Sequence, residues 1–380
     1  MKSLSFWLLR VIVAGLVLVT GRPAEADRGT FANKRAIMDG DIEGWTQPVE
    51  IDRRLQRIKA AGFNVYMPAV WYGRGTTWPS KYAPWDFALQ LPIKRNFDPL
   101  KYAIEKAHTM GLEVHPWFTV TLRWKSDFYP ELGLPGVSEG PHAAFNIHNA
   151  DFRLLITSLI AEVVTNYDVD GINLDYVRAM GVCRTSSCDR DYFLKYNRDL
   201  GRDSLIFKIA PMSVPTLVAF QEEGVSKLVT TISSAIRREK PGLLISVDVH
   251  PELIGQARYV DQGQNSIDWV NTGIVDVLLR MDYQPTLGTN SIESVRRQLK
   301  VPDAMTQLIS NMSHGADMPA NQKHVARSGK WLTDTISMIQ SRWPGTGVAV
   351  YFYKYLTDEQ IEALQKDSSG SGARVGGSLR

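Results

Sequence analysis

Cysteine is scarce in this chain, with two residues, Cys183 and Cys188, among 380. So few exclude a disulfide-built scaffold and a cysteine-rich metal module. The two bracket Arg184-Thr185-Ser186-Ser187. In an oxidising space they can close a small loop, worth about 2 kcal/mol on entropic grounds. A metal pair is the other use of two cysteines, but no second Cys or His pair lies near in sequence. Net charge is small as well: 43 basic against 40 acidic residues, or +3. Residues 1–26 hold Lys2, Arg10, Arg22 and Glu25, so the remainder carries 40 against 39, or +1. That leaves no field to attract nucleic acid. Walker loops and dinucleotide fingerprints are missing, so no cofactor is expected. No Gly-x-Ser-x-Gly occurs outside the last 14 residues, which speaks against a serine hydrolase. His115, His148 and His250 stand singly, without the spacing of metal ligands. After residue 26 no stretch is long and apolar enough to cross a bilayer.

What is present begins with a leader. Lys2 is followed by the run Phe6 to Val19, apolar apart from Arg10, and then by Ala24-Glu25-Ala26. Basic start, short apolar run and small-x-small site predict a secretory signal peptide, residues 1–26, cleaved after Ala26. An uncleaved N-terminal anchor is the other reading. The expected location is periplasmic or secreted.

Eight β-rich runs then alternate with amphipathic stretches. The runs are Arg35–Asp41, Asn64–Tyr72, Leu112–Thr121, Val169–Arg178, Leu243–Pro251, Val275–Gln284, Ala304–Met312 and Gly347–Tyr355. Helical patterns lie between them, from Val49–Ala61 to Thr357–Gln365. Strict alternation means βαβ units and a parallel sheet, and eight units predict one closed (β/α)8 TIM barrel over residues 27–366. An open doubly wound sheet is the alternative, and it lacks its phosphate turn here. Gly62 and Gly111 stop helices, Asp98 caps the helix that Pro99 opens, and Thr357 caps the last one. Two long loops follow strands 3 and 4, on the face where barrel enzymes build their sites. Residues 367–380 read as a flexible tail.

Side chains of a stave alternate between the barrel interior and the helix layer. On the fourth strand Asn173 and Asp175 share a face, opposite Ile172 and Leu174. On the fifth, Ser246, Asp248 and His250 do; on the sixth, Arg280 and Asp282; on the third, Glu113, His115 and Trp117; on the eighth, Tyr351 and Tyr353. Polar strand ends from five staves are thus expected to converge on one mouth. Each has a plainer use. Asp175 can cap a helix or pair with Arg178, Asp248 can orient a neighbour, Asp282 with Tyr283 can anchor a loop, and Glu113 can pair with Arg280. A pair of inward carboxylates is the machinery of glycoside hydrolysis: one donates a proton to the leaving oxygen, and the other attacks the anomeric carbon or activates water.

Three segments carry a resemblance: Gly111-Leu-Glu-Val-His-Pro-Trp-Phe, His148-Asn-Ala-Asp-Phe-Arg, and Tyr167-Asp-Val-Asp-Gly-Ile-Asn-Leu-Asp-Tyr-Val-Arg178. With Lys240-Pro-Gly, Gly273-Ile-Val-Asp and Met281-Asp-Tyr behind them, the chain resembles the bacterial glycosyl-hydrolase-like barrels of the family 10 type, from about Arg35 to Gln365. The resemblance implies a (β/α)8 barrel, export, and action on a cell-wall or extracellular glycan, with Asp175 matching the fourth-strand Asp of the family. The first strand lacks the Trp expected from the family, and the seventh has no Glu near its end. An Asp pair on strands 4 and 6, as in barrels similar to α-galactosidases, fits better. Asp175 is then the nucleophile or base and Asp282 the acid, with Asp248 in reserve. His115, Trp117, Asn173, Tyr176, Arg178, His250, Arg280, Tyr283, Tyr351 and Tyr353 are the expected substrate contacts. The expected partner is an oligo- or polysaccharide, met by a monomer. A non-catalytic glycan-binding barrel and a metal-dependent polysaccharide deacetylase are the alternative functions.

Overall fold

The alternation of β-rich and helical stretches closes on itself. The computed structural model describes residues 30–45, 47–86, 88–89, 97–139, 142–210, 213–250 and 262–372; residues 1–29, which include the expected signal peptide, and residues 373–380 lie outside these. The first units are β1 (Arg35–Asp39), α1 (Pro48–Ala60), β2 (Val65–Trp71) and α2 (Pro99–Thr109). The third stave is split into β3 (Glu113–Val114) and β4 (Trp117–Thr119), because Pro116 has no N–H to give the ladder. The loop strands β5 (Leu122–Arg123), β6 (Gly133–Glu139) and β7 (His142–Phe145) follow. Then come α3 (Ala150–Asn166), β8 (Gly171–Asp175), α4 (Ser186–Tyr196), α5 (Leu200–Ile209), α6 (Pro215–Glu239) and β9 (Leu244–Val249). The chain continues with α7 (Ser266–Asn271), β10 (Val277–Asp282), α8 (Thr289–Gln298), β11 (Met305–Ser310), α9 (Gly329–Arg342), β12 (Gly347–Tyr351) and α10 (Asp358–Gly372). All stave pairings are parallel, and β1 pairs with both β2 and β12, which closes the barrel. The fold is a (β/α)8 barrel. Among the described residues no helix is long and apolar enough to cross a membrane.

Caps and stops act where the residue types put them. Asp98 accepts from the Lys101 N–H at the start of α2, and Thr357 accepts from the Gln360 N–H at the start of α10. Gly62, with φ 76°, turns the chain from α1 into β2.

Two apolar layers hold the barrel. The larger lies between staves and helices and takes Ile37, Tyr66, Ile172, Leu174, Ile245, Val247 and Leu278. The smaller fills the interior with Met38, Met67, Trp117, Leu244, Leu279, Met281 and Leu308. Phe31, fully buried, closes the bottom beside Gly347, the first residue of β12.

Both long loops carry structure of their own. The one after the third stave holds a three-stranded antiparallel sheet, ordered β5-β7-β6, whose short strands give too little periodicity to be seen in sequence. The one after the fourth holds α4 and α5, packed on α6 through a separate cluster that includes Cys183, Cys188, Tyr192 and Phe207. Cys183 and Cys188 are joined by a disulfide. The final helix runs to Gly372, past Gln365 and into the segment read as a tail; buried Leu364 and Ile361 anchor it.

Candidate active site

The apolar layers decide which strand residues face the mouth. On β8, Ile172 and Leu174 pack under the helices, so Gly171, Asn173 and Asp175 point inward. The β8–β9 register pairs Asn173 with Ser246 and Leu174 with Val247. The next residue on each strand is an inward aspartate, Asp175 and Asp248. They are neighbours on adjacent staves at one level.

Their surroundings differ. Asp175 is at the edge of a cavity of about 910 Å³ that opens at the carboxyl ends of the staves. Both its oxygens accept N–H donors: Oδ2 from the Trp117 indole at 3.2 Å and Oδ1 from the Tyr176 backbone at 2.6 Å. Such donors favour the anion. Asp248 is 1% exposed and does not line the cavity. Burial, and then the charge of Asp175, push its carboxyl well above the usual carboxylate range, against the pull of the Asn173 amide. Burial and the neighbouring negative charge thus favour the protonated form of Asp248, while the two N–H donors favour the anion of Asp175.

Asp282 and Arg280 are not part of this constellation. β10 presents Val277, Leu279 and Met281 to the interior, and the register sets Leu279 beside Asp248. Arg280 and Asp282 therefore face the helix layer. Arg280 Nη1 donates to Asp282 Oδ2 and Gln307 Oε1, both at 3.1 Å. Asp282 also accepts from the backbone of Gln284 and Gly288, which ties down the β10–α8 connection. Leu278 and Leu279 are both apolar, so alternation on this strand has no phase in the sequence alone.

His115 and Tyr353 are displaced for other reasons. His115 does point inward, but it is fully buried at the closed end, edge-on to Phe31 at 5.6 Å, with Nε2 3.2 Å from Glu113 Oε2. Glu113 pairs with Lys34 at 2.6 Å, not with Arg280. A Cβ at position 171 would sit 2.5 Å from His115 Nδ1, so Gly171 is what lets the imidazole lie there. Tyr353 lies beyond β12 in a 3-10 turn and sits under the Arg54 guanidinium at 4.7 Å, outside the cavity.

The other expected contacts do meet the cavity. Trp117, Tyr176, Arg178, His250, Tyr283 and Tyr351 line it. Tyr283 and Tyr351 stack at 5.4 Å, and Trp117 stands edge-on to Tyr351 at 6.3 Å. Arg178 covers the Tyr176 ring at 4.4 Å. His250 lies 3.2 Å from the Met281 carbonyl; burial, and then Arg178, press its imidazole down to about 4. Asn173 lies one layer below, fully buried. Sequence reasoning missed Tyr72, Arg74, Trp124, His142, His314, His324 and Lys354, which also line the cavity. Tyr72 bridges Trp117 and Trp124, at 5.6 and 5.9 Å, so the aromatic surface continues onto the loop sheet. Asp41, also at the rim, is held by Arg54 at 2.9 Å. A strand-end aromatic, as at Tyr72, is the one signal available; the others lie in loops, in a 3-10 turn or, for His142, on the short loop strand β7.

The (β/α)8 fold is shared with solved structures of glycosidases. The glycoside hydrolase domain of PgaB (BpsB) from Bordetella bronchiseptica matches with a TM-score of 0.62 at 11% identity, over 89% of this chain and 97% of that one. Alpha-L-fucosidase isoenzyme 2 from Paenibacillus thiaminolyticus also scores 0.62, at 15% identity, over 90% of this chain and 50% of that one. These likenesses show the fold. The chain belongs to the glycosyl hydrolase-like 10 family, whose model matches residues 37–132 and 136–318. Among curated relatives, glycosyl hydrolase DigH of Escherichia coli K12 is 24% identical over 275 residues, 63% of this chain and 58% of its own length. Glycosyl hydrolase YngK of Bacillus subtilis 168 is 23% identical over 208 residues, 51% of this chain and 38% of its own. The matches thus span less than two thirds of those relatives.

Proposed function

We propose that this protein is an exported glycoside hydrolase that cleaves glycosidic bonds in a cell-wall or extracellular polysaccharide. The observation that carries the reading is the Asp175–Asp248 pair beneath an aromatic-walled cavity. An oxocarbenium-like transition state gathers positive charge at the anomeric carbon. Asp175, anionic and fixed by two N–H donors, is the group that meets that charge, as nucleophile or base. Asp248 acts from behind it: by keeping the single proton of the pair it leaves the negative charge on the residue that faces the sugar. Trp117, Tyr351, Tyr283 and Tyr72 offer apolar faces to sugar rings, and their polar tips offer hydrogen bonds. The leader at residues 1–26 and the Cys183–Cys188 bridge support export.

A second reading is favoured by one specific observation. Asp282 faces the helices and Asp248 is covered, so Asp175 and the Arg54-held Asp41 are the carboxylates at the cavity wall among the described residues. A glycan-binding barrel without turnover needs no more than that. Release of fragments from purified cell-wall glycan by the wild type and by Asp175→Asn separates the two. Hydrolysis predicts release by the wild type and a loss of at least about 100-fold in the variant. Equal release by both removes Asp175 from the chemistry, and binding without release by either establishes the second reading.

A further inference from the structure

Beneath the two aspartates lies a polar layer that contacts no ligand space. The β8–β9 register sets Asn173 beside Ser246, one level below the carboxyls, and all three of Asn173, Ser246 and Asp248 are buried. Asn173 Nδ2 donates twice, to Asp248 Oδ1 at 2.8 Å and to Ser246 Oγ at 3.1 Å. Ser246 Oγ in turn donates to the Ile172 carbonyl at 3.4 Å. That use of its hydrogen leaves the hydroxyl oxygen as an acceptor, so the amino end of the carboxamide is the end that faces it. The same end therefore faces Asp248, and Asp248 Oδ1 must be an acceptor without a proton. Asp248 Oδ2 and Asn173 Oδ1 are both buried and have no hydrogen-bond partner among the described residues.

We propose that Asn173 is a positioning residue: its carboxamide, oriented by Ser246, fixes the single proton of the Asp175–Asp248 pair on Oδ2 of Asp248. This rests on the reading of that pair given above and adds the placement of its proton. A proton confined to one oxygen cannot wander to the Oδ1 side, so the pair meets each substrate in one microstate. Asn173 itself never touches the sugar. The titratable and charged groups around the pair are Tyr72 after β2, Tyr176 and Arg178 after β8, His250 after β9, Tyr283 after β10 and Tyr351 on β12. Burial holds Tyr283 and Tyr351 above their ordinary range and His250 below its own, so these three keep a constant charge from about pH 5 to 9.

The test is a carboxyl titration by NMR on protein carrying ¹³C-carboxyl aspartate, for wild type, Asn173→Ala and Ser246→Ala. An N–H donor to Oδ1 favours the anion, so its loss raises the midpoint. Asn173→Ala is expected to move the Asp248 midpoint up by about one pH unit, and Ser246→Ala by less in the same direction. In glycan release, Asn173→Ala is expected to lower kcat about tenfold at unchanged KM, with the alkaline limb moved up. A merely structural asparagine would lower the melting temperature and leave the midpoint and the limb in place. An unmoved or lowered midpoint overturns the proposal; a lowered one would mean that the carbonyl end faces Asp248. If Asn173→Ala does not fold, Ser246→Ala decides by the same criterion. The titration needs no turnover, so it still decides the placement of the proton if Asp175→Asn proves fully active and the hydrolase reading falls.

Discussion

Asp175 and Asp248 extend from adjacent staves at one level, one with both oxygens held by N–H donors and the other buried without a partner for Oδ2. The pair differs in environment rather than in residue type. In the proposed mechanism that difference places the charge on Asp175 and the proton on Asp248.

The buried member makes stability depend on pH. A carboxyl whose folded pKa is raised stabilises the fold below the unfolded value, near 3.9, and that contribution is lost as pH rises through the folded value. Chemical denaturation across pH 4 to 8 is expected to show wild type and Asp248→Asn diverging as pH rises. The variant becomes the more stable, by up to about 1.4 kcal/mol per pH unit within the window. Parallel curves would mean that Asp248 ionises freely.

Trp117→Phe keeps most of the ring and removes the indole donor to Asp175 Oδ2. Hydrogen bonds to charged groups are worth about 1.5–3 kcal/mol, so kcat is expected to fall roughly 10- to 100-fold. The acidic limb of the pH profile should move up, because the Asp175 anion has lost a donor. An unchanged profile would remove Trp117 from the support of the carboxylate.

Tyr176 follows Asp175 with φ 51°, a conformation that side chains other than glycine adopt at a cost. It turns the Tyr176 N–H onto Asp175 and the ring into the cavity. Tyr176→Gly is expected to be more stable than Tyr176→Ala by about 1 kcal/mol, the reverse of their order in regular structure. Thermal denaturation of the two variants checks this, and the opposite order would contradict it.

Asp282 belongs to the scaffold. Asp282→Asn keeps a side chain that can still accept, but it loses the charge that faces Arg280. It is expected to cost about 1–3 kcal/mol in denaturant unfolding and to leave kcat within about threefold of the wild type. A catalytic collapse at full stability would return Asp282 to the chemistry.

The barrel was legible because its signals are local and repeated: Gly62 and Gly111 at helix ends, Asp98 before Pro99, and strand patterns at regular intervals. The site was legible where apolar residues alternate cleanly. Ile172 and Leu174 fix the phase of β8, so Asn173 and Asp175 were placed inward from sequence. On β10 the run Val277-Leu278-Leu279 has no phase, and neighbouring-strand register, a long-range fact, turned Arg280 and Asp282 outward. Parity also says nothing of height, so His115 shares a face with Trp117 yet lies a layer deeper, against Phe31. Alternation extended past the end of β12 misplaces Tyr353, which lies in a 3-10 turn. Trp124 and His142 sit on short antiparallel strands or beside them, where no period exists to read.

The most direct measurement of the central claim is the number of reducing ends released from purified cell-wall glycan by wild type, Asp175→Asn and Asp282→Asn, each shown to be folded. The expected order is release by the wild type, near-equal release by Asp282→Asn, and a loss of at least about 100-fold with Asp175→Asn. Full release by Asp175→Asn, or a loss confined to Asp282→Asn, would contradict the assignment of the cavity-facing carboxylate.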